Sequence, residues 1–499
     1  AEMKRHSVKI VKTKGSVATK LKNNKGRLIG LALVIVLFAA LLVSAMLFLH
    51  RDKNLKLASA LENCYDLVLN FDDNMSSATL TEEFMYTNTC GEKLNSLVFR
   101  LYPNAFSNLG SKSGGIEVLS AKIDRQSVDC AISKEDSTVL TLPCNLEAMD
   151  TCTVSLDCKI TIPTSDKRFG KTAYSVNMTA FYPVISTYQN SAWRTDAYSN
   201  IGDPFMSGIA SFYVTATLPQ NYKIATCGKI TETSVKDNHQ TVEIVAENIR
   251  DYALIVSDKF NVVSSTATLK DKTVDVNYFY LDDKNSLGTV NLAVDALTTF
   301  SGAFGNYPYK NFTVVQAPLT AGGMEYGSLV QIAPMSNRKN ADDTLLHETA
   351  HQWWYGVVGS DQFNSAWLDE GLTEFCTGYY YRLHGNNERF TAYIDNLNKG
   401  LNSYATVLSN AENISMERHL SSFASEGEYV ALTYYKGALL FDALHTLVGD
   451  KKFNAVLSTY FASNYMKIAD KNSLFSAFKK HGYTVDSLVN NWLNGSAKV

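Results

Sequence analysis

The 499-residue sequence predicts an α+β protein in three parts. An N-terminal transmembrane helix leads into an antiparallel β saddle or sandwich domain, followed by a mostly α-helical domain. Three observations carry this reading. An uncharged apolar run fills residues 28–49, short strand-like segments occupy about 65–280, and the hydrophobic period becomes helical from about 282. The expected boundaries are a basic tail over 1–27, the membrane helix over 28–49 and a linker over 50–62. A β-rich domain then covers 63–281 and the helical domain 282–499.

The apolar run, "LIGLALVIVLFAALLVSAMLFL", holds no charge and only Ser44 as a polar side chain. At 1.5 Å per residue it spans the roughly 30 Å hydrocarbon core of a bilayer. A buried core helix is seldom apolar all round over such a length. A cleavable signal would have an apolar region of only about 7–15 residues. The tail before it carries nine Lys/Arg against the single acid Glu2. Basic flanks stay in the cytoplasm, so the expected topology is single-pass at the cell membrane. The tail lies inside and everything after Leu49 is extracellular. Without the tail, the formal −3 of the whole chain becomes 37 basic against 48 acidic side chains. An acidic exterior speaks against nucleic acid as a partner.

In the β-rich part, "LVFRLYP", "SFYVTATLP", "TVEIVAENI" and "TVDVNYFYL" are rich in β-branched and aromatic residues. Asn, Asp, Gly and Pro turns bound them. Six of the eight cysteines, Cys64, Cys90, Cys130, Cys144, Cys152 and Cys158, fall in this stretch. No C-x-x-C pair occurs, which disfavours a thiolate zinc site. Disulfides among the six are expected to be possible outside the cell, with fifteen conceivable connectivities.

The helical part holds "LLHETAHQWW". Asp343 and Thr344 can cap a helix beginning near Leu345. On that helix His347 and His351 lie one turn apart on one face and can reach a single ion. Glu348 can then face a water bound to that ion. Such a motif arises by chance in roughly one chain of this composition in a hundred. Downstream, "SAWLDEGLTEF" places Glu370 so that eighteen residues separate it from His351. A second helix packed against the first brings Glu370 in as a third ligand. Glu374, one turn later, can accept the free N–H of a ligating histidine. A solvated helix face is the plainer reading of the two glutamates, but it leaves the spacing without a reason.

These residues resemble the gluzincin metallopeptidases of the aminopeptidase N and leukotriene hydrolase type, peptidase family M1. Two further segments agree. "AGGMEYGSLV" is similar to the family's G-x-M-E-N exopeptidase motif, read as Gly322, Gly323, Met324 and Glu325. "LTYYKGALL" is similar to its Y-x-K-G segment, which implies Tyr434, rather than the adjacent Tyr435, as the catalytic tyrosine. "LVFRLYPNAF" and "WRTDAYSNIGDPF" resemble the family's N-terminal saddle domain. Two departures stand out: Tyr326 replaces the motif's asparagine, and the chain stops at "VNNWLNGSAKV", where the family's catalytic domain ends. The resemblance thus implies a compact form lacking the C-terminal helical domain of longer relatives.

What the resemblance implies is a thermolysin-like catalytic domain with one Zn2+ per chain. His347, His351 and Glu370 are its metal ligands, Glu348 the general base and Tyr434 the donor to the carbonyl oxygen. Gly322, Gly323, Met324 and Glu325 form the substrate motif, Glu325 taking the free α-ammonium of a peptide. The expected function is a membrane-anchored zinc aminopeptidase acting on peptides with a free N-terminus. A zinc endopeptidase with an open cleft and a non-catalytic membrane-tethered peptide-binding protein remain the alternatives.

Overall fold

The computed structural model describes residues 63–108, 113–409 and 413–495. The expected tail, membrane helix and linker lie outside these residues. Among the described residues no helix is long and apolar enough to cross a membrane. The described residues all belong to one compact unit.

The β-rich half is built on an eight-stranded sheet. Its spatial order is Lys229–Lys236, His239–Ile249, Ala210–Pro219, Asn63–Phe71, Ser77–Thr87, Thr151–Thr161, Gly115–Ile123 and Gln126–Ser127. The alternation read in the sequence appears as alternating burial, for example in Ser77–Thr87, where Ala78, Leu80 and Phe84 turn inward. Tyr65 stacks between Phe84 and Phe212, with ring centroids 4.3 and 4.8 Å away. These offset aromatic contacts fill the space beneath the sheet. The expectation of an antiparallel sheet needs one correction. Asn63–Phe71 runs parallel to Ala210–Pro219, because these strands are joined by a long excursion rather than a hairpin.

Cys152, Cys158, Cys227 and Cys376 are buried as small apolar side chains, Cys90 and Cys144 are half-buried and Cys130 is exposed. Cys90, Cys130, Cys144, Cys152, Cys158, Cys227 and Cys376 are thiols, so the disulfides thought possible do not link them. Burial pushes Cys152 up to about 12, which keeps it protonated.

The second half opens with a five-stranded sheet ordered Asn261–Thr268, Thr273–Tyr280, Asn311–Gln316, Leu329–Ile332 and Gly323–Tyr326. Its first two strands precede residue 282, so the boundary expected at 281/282 falls inside one sheet. The reason is that strand composition alone does not reveal to which sheet a strand belongs. Three neighbouring strands run parallel, with helix Ser286–Phe304 crossing between the first two. Gly323–Tyr326 pairs antiparallel at the edge and carries the "GGMEY" motif.

Helix Arg338–Ala350, the histidine helix, packs on this sheet. It begins seven residues before the expected start. Its cap is Asn337, whose side chain accepts from the Asn340 N–H at 3.2 Å. Asp343 and Thr344 therefore sit inside the helix, where Asp343 pairs with Lys339 one turn back at 2.9 Å. After His351 the chain continues as a wider π-helical turn, Gln352–Val357. Arg250, buried at the end of the β-rich half, donates to the Tyr355 carbonyl at 2.7 Å and the Val357 carbonyl at 3.3 Å. It also donates to the Ser207 carbonyl at 2.9 Å, so one guanidinium ties the histidine segment to the β-rich half.

Candidate metal and peptide site

Two elements bring the ligands together. The histidine helix presents His347 and ends at His351. A second segment passes through the π-helical turn Trp367–Gly371 into helix Leu372–Leu383, and presents Glu370 and Glu374. Single π-helical turns are frequent at functional sites because they re-aim side chains without ending the helix.

The donor atoms converge. Glu370 Oε2 lies 3.2 Å from the Nε2 atoms of both histidines, and those two nitrogens lie 3.1 Å apart. Tetrahedral zinc with bonds of about 2.0–2.1 Å holds its donors about 3.3 Å from one another. Two imidazole nitrogens and one carboxylate oxygen at this spacing, all buried, therefore fit zinc. The other ring nitrogens are committed. His347 Nδ1 lies 2.9 Å from Glu374, and His351 Nδ1 lies 2.8 Å from Asp369. Asp369 in turn accepts from Gln362 at 2.8 Å. Each carboxylate fixes its histidine's tautomer and leaves Nε2 to face the ion. Burial opposes a charge on His347, but Glu370 and Glu374 outweigh it and raise the imidazole to about 10. The site is thus electrostatically built for positive charge.

Glu348 sits beside this triangle with Oε2 lacking a partner among the described residues. Burial, partly offset by the two histidines, pushes its carboxyl up to about 7. Gly323 makes its position possible: a Cβ there would lie 1.9 Å from Glu348 Oε1. Gly322 has φ +89°, a conformation glycine adopts without penalty. Met324 is buried, and its sulfur lies 3.1 Å from Arg168 Nε.

Glu325 is buried with Oε1 unpartnered among the described residues, and its carboxyl is raised by burial, with Asp203, Glu348 and Glu370 adding to the effect and His351 opposing it. Oxygens of Glu325, Glu370 and Asp203 lie within 4.8 Å of one another. A group bearing several N–H donors and a positive charge suits such a cradle. Tyr326, at the motif's asparagine position, is fully buried and turns away from the cleft. Its hydroxyl accepts from Thr179 Oγ1 at 2.7 Å, pinning the motif strand to the β-rich half.

Tyr434 lies in another π-helical turn, Val430–Lys436, and its ring stacks on His347 with centroids 5.8 Å apart. Burial and the nearby Glu370 charge raise its hydroxyl well above the usual value, so it stays a donor. Tyr435 also borders the cleft, but its ring packs beside Gly400 and Tyr404 rather than on a histidine. The approach of the tyrosine and glutamate segments depends on a pair of glycines. A Cβ on Gly371 would meet the Gly437 backbone at 2.8 Å.

All ten residues singled out in the sequence therefore gather around one point, and the metal donors, Glu325 and Tyr434 line a single cleft of about 900 Å³. Sequence reasoning missed three side chains, Arg168, Asp203 and Asp369. Asp203, from the quoted "GDPF" stretch, enters the cleft ion-paired to Arg168. Asp369 orients His351, and its place beside Glu370 was the available signal.

Residues 289–492 match the peptidase family M1 domain. Leucine aminopeptidase 2-1 of Meyerozyma guilliermondii is 29% identical over 194 residues, covering 36% of this chain and 32% of that protein. Aminopeptidase M1 of Arabidopsis thaliana is 26% identical over 203 residues, covering 37% and 22%. The matches thus span about a third or less of these relatives' length. Among solved structures, the M1 zinc metallopeptidase from Deinococcus radiodurans superposes with a TM-score of 0.64 at 20% identity, covering 88% of this chain and 95% of that one. A mutant of that protein bound to a Tyr-Ser-Ala substrate gives 0.62 at 19% identity, covering 88% and 96%. The chain shares the fold of these metallopeptidases: a β-rich N-terminal half and a helical C-terminal half.

Proposed function

We propose that this chain, with its peptidase family M1 domain, is a zinc aminopeptidase that releases N-terminal residues from peptides. The observation that carries the reading is the placement of the unpartnered Glu325 carboxylate beside the His347–His351–Glu370 donor triangle. A metal-assisted hydrolase needs the triangle. A carboxylate cradle closing one end of the cleft adds the requirement for a free chain terminus.

His347, His351 and Glu370 would hold a zinc ion, which when bound would supply a Lewis acid that acidifies water and polarises a carbonyl. Glu348 takes the proton from the attacking water and hands it to the leaving amine. The Tyr434 hydroxyl donates to the carbonyl oxygen as negative charge develops there, a contribution typically worth about 10²–10³ in rate. Glu325 and Asp203 receive the α-ammonium, which fixes the register so that the first peptide bond meets Glu348. Asp369 and Glu374 hold the two imidazoles in place. The Deinococcus radiodurans relative, bound to a Tyr-Ser-Ala substrate, supports a short peptide as the substrate class.

The protein acts outside the cell, tethered by residues 28–49 with its basic tail in the cytoplasm. The charge asymmetry about the apolar run supports this placement.

The test is zinc quantification on purified protein followed by aminoacyl amides with and without an N-acetyl group. Stoichiometric zinc and turnover confined to free amines are expected. Equal rates on acetylated substrates, or internal fragments preceding single amino acids, would move the assignment to an endopeptidase.

A further inference from the structure

Seven carboxylates line the cleft, and six have a partner or a role. Glu348 and Glu370 serve the metal site, and Glu374 orients His347. Asp203 is bridged to Arg168, and Asp343 to Lys339 at 2.9 Å. Glu325 awaits the α-ammonium. The seventh, Glu426, has no ion pair or side-chain hydrogen bond among the described residues. It sits at the first turn of the short helix Glu426–Tyr429. That helix rests on the loop carrying Asp203, where Gly202 leaves room for the Tyr429 ring.

Glu426 is near enough to the site to respond to it. Its carboxyl is raised by burial, lowered by Arg168 and raised again by Glu370. Arg168 does not neutralise it, because that guanidinium is spent on Asp203, the Gly202 carbonyl and the Met324 sulfur. The cleft's other cation, Lys167, donates to Asn200 Oδ1 at 3.2 Å rather than to Glu426, so a substrate seated with its ammonium on Glu325 shares the cleft with a carboxylate that has no ion pair among the described residues.

We propose that Glu426 makes the cleft select peptides whose first residue carries a cationic side chain, arginine or lysine. This rests on the aminopeptidase reading and names its substrate class. A guanidinium or ammonium entering the cleft gains a charge-assisted contact with Glu426, weakened by the solvent that reaches this exposed residue.

The experiment compares pairs of nearly equal shape, on the zinc-loaded full chain. Arginyl and citrullyl anilides differ in charge, as do lysyl and norleucyl anilides, while leucyl anilide reads the aminopeptidase assignment by itself. The wild-type protein should show kcat/KM about tenfold higher for arginine than for citrulline. Glu426→Gln should bring that ratio near one, and Glu426→Lys should invert it. Leucyl turnover with equal arginyl and citrullyl rates would overturn this proposal and leave the aminopeptidase reading standing. Were no free-amine substrate turned over, that reading would fail, and calorimetric binding of L-arginine against L-citrulline would still decide. Tighter arginine binding lost in Glu426→Gln would support the selectivity, and equal affinities would overturn it.

Discussion

Gly437→Ala adds one methyl group where two helical segments touch backbone to backbone. The new Cβ would lie 2.9 Å from the Gly371 Cα, with the Trp367 carbonyl oxygen at 3.6 Å. Carbon atoms pack best at about 3.5–4.0 Å, so the segments must part by about 0.6–1 Å. No flexible side chain stands in the way that could yield instead. Gly371 follows Glu370, and Gly437 lies three residues past Tyr434, so the displacement falls on a metal donor and on the hydroxyl beside it. A misplacement of about 1 Å typically costs about 10²-fold in rate, and overpacking costs about 1–3 kcal/mol of stability. The expected result is kcat/KM on a free aminoacyl anilide lowered about a hundredfold. Zinc should be retained, since His347 and His351 sit on a different helix. The control is Gly302→Ala, also in a helix, where an added methyl meets nothing within 4 Å. Wild-type kcat/KM and an unchanged urea midpoint in Gly437→Ala would refute the claim that the glycine pair sets the site's geometry.

Three further outcomes are expected. Gly323→Ala, whose Cβ would stand 1.9 Å from Glu348 Oε1, should leave zinc bound while lowering kcat about a hundredfold, checked by metal analysis beside kinetics. Asp369→Asn removes the carboxylate 2.8 Å from His351 Nδ1 and should weaken zinc binding about 10–100-fold in a chelator competition. Glu82 is fully buried with neither carboxylate oxygen partnered among the described residues, and burial raises its pKa well above the usual value. Folding therefore favours its protonated form. Its stability penalty is absent below the usual carboxyl range and grows by about 1.4 kcal/mol per pH unit as pH rises toward the folded-state value. Glu82→Gln should flatten that part of the pH–stability curve in urea titrations, and parallel curves for the two proteins would contradict the assignment.

The metal donors are legible in the sequence because two constraints act at once. Ligand chemistry fixes the residue types, and the helix fixes the spacing of His347, His351 and Glu348. The glycines of "GGMEY" and "YYKG" are visible as letters, yet their reason is three-dimensional. Gly323 leaves space for Glu348, and Gly437 lets the tyrosine segment reach Gly371. Helix boundaries are harder to read. Asn337, Asp343 and Thr344 are all capping residues, and only the Asn337 contact with the Asn340 N–H identifies the start. Long-range pairing is harder still. Alternation in Asn63–Phe71 tells which side chains turn inward, but nothing local tells that its neighbour is Ala210–Pro219 and that the pair runs parallel.

Asp203 marks the limit of such reading most sharply. It stands in a loop of the β-rich half with no ligand spacing to any neighbour in sequence, so its type and position look like ordinary turn chemistry. Only folding brings it beside Glu325 and Glu370, and only Arg168, from yet another loop, makes a third buried carboxylate tolerable there. The same dependence explains why the β-rich half belongs to the site rather than merely supporting it. Arg168 and Asp203 supply charge to the cleft, Thr179 anchors the motif strand through Tyr326, and Arg250 fixes the turn after His351. The helical half expressed without residues 63–260 would keep all three candidate metal donors, yet it would lose Arg168 and Asp203 from the cleft and the Thr179 contact that anchors the motif strand.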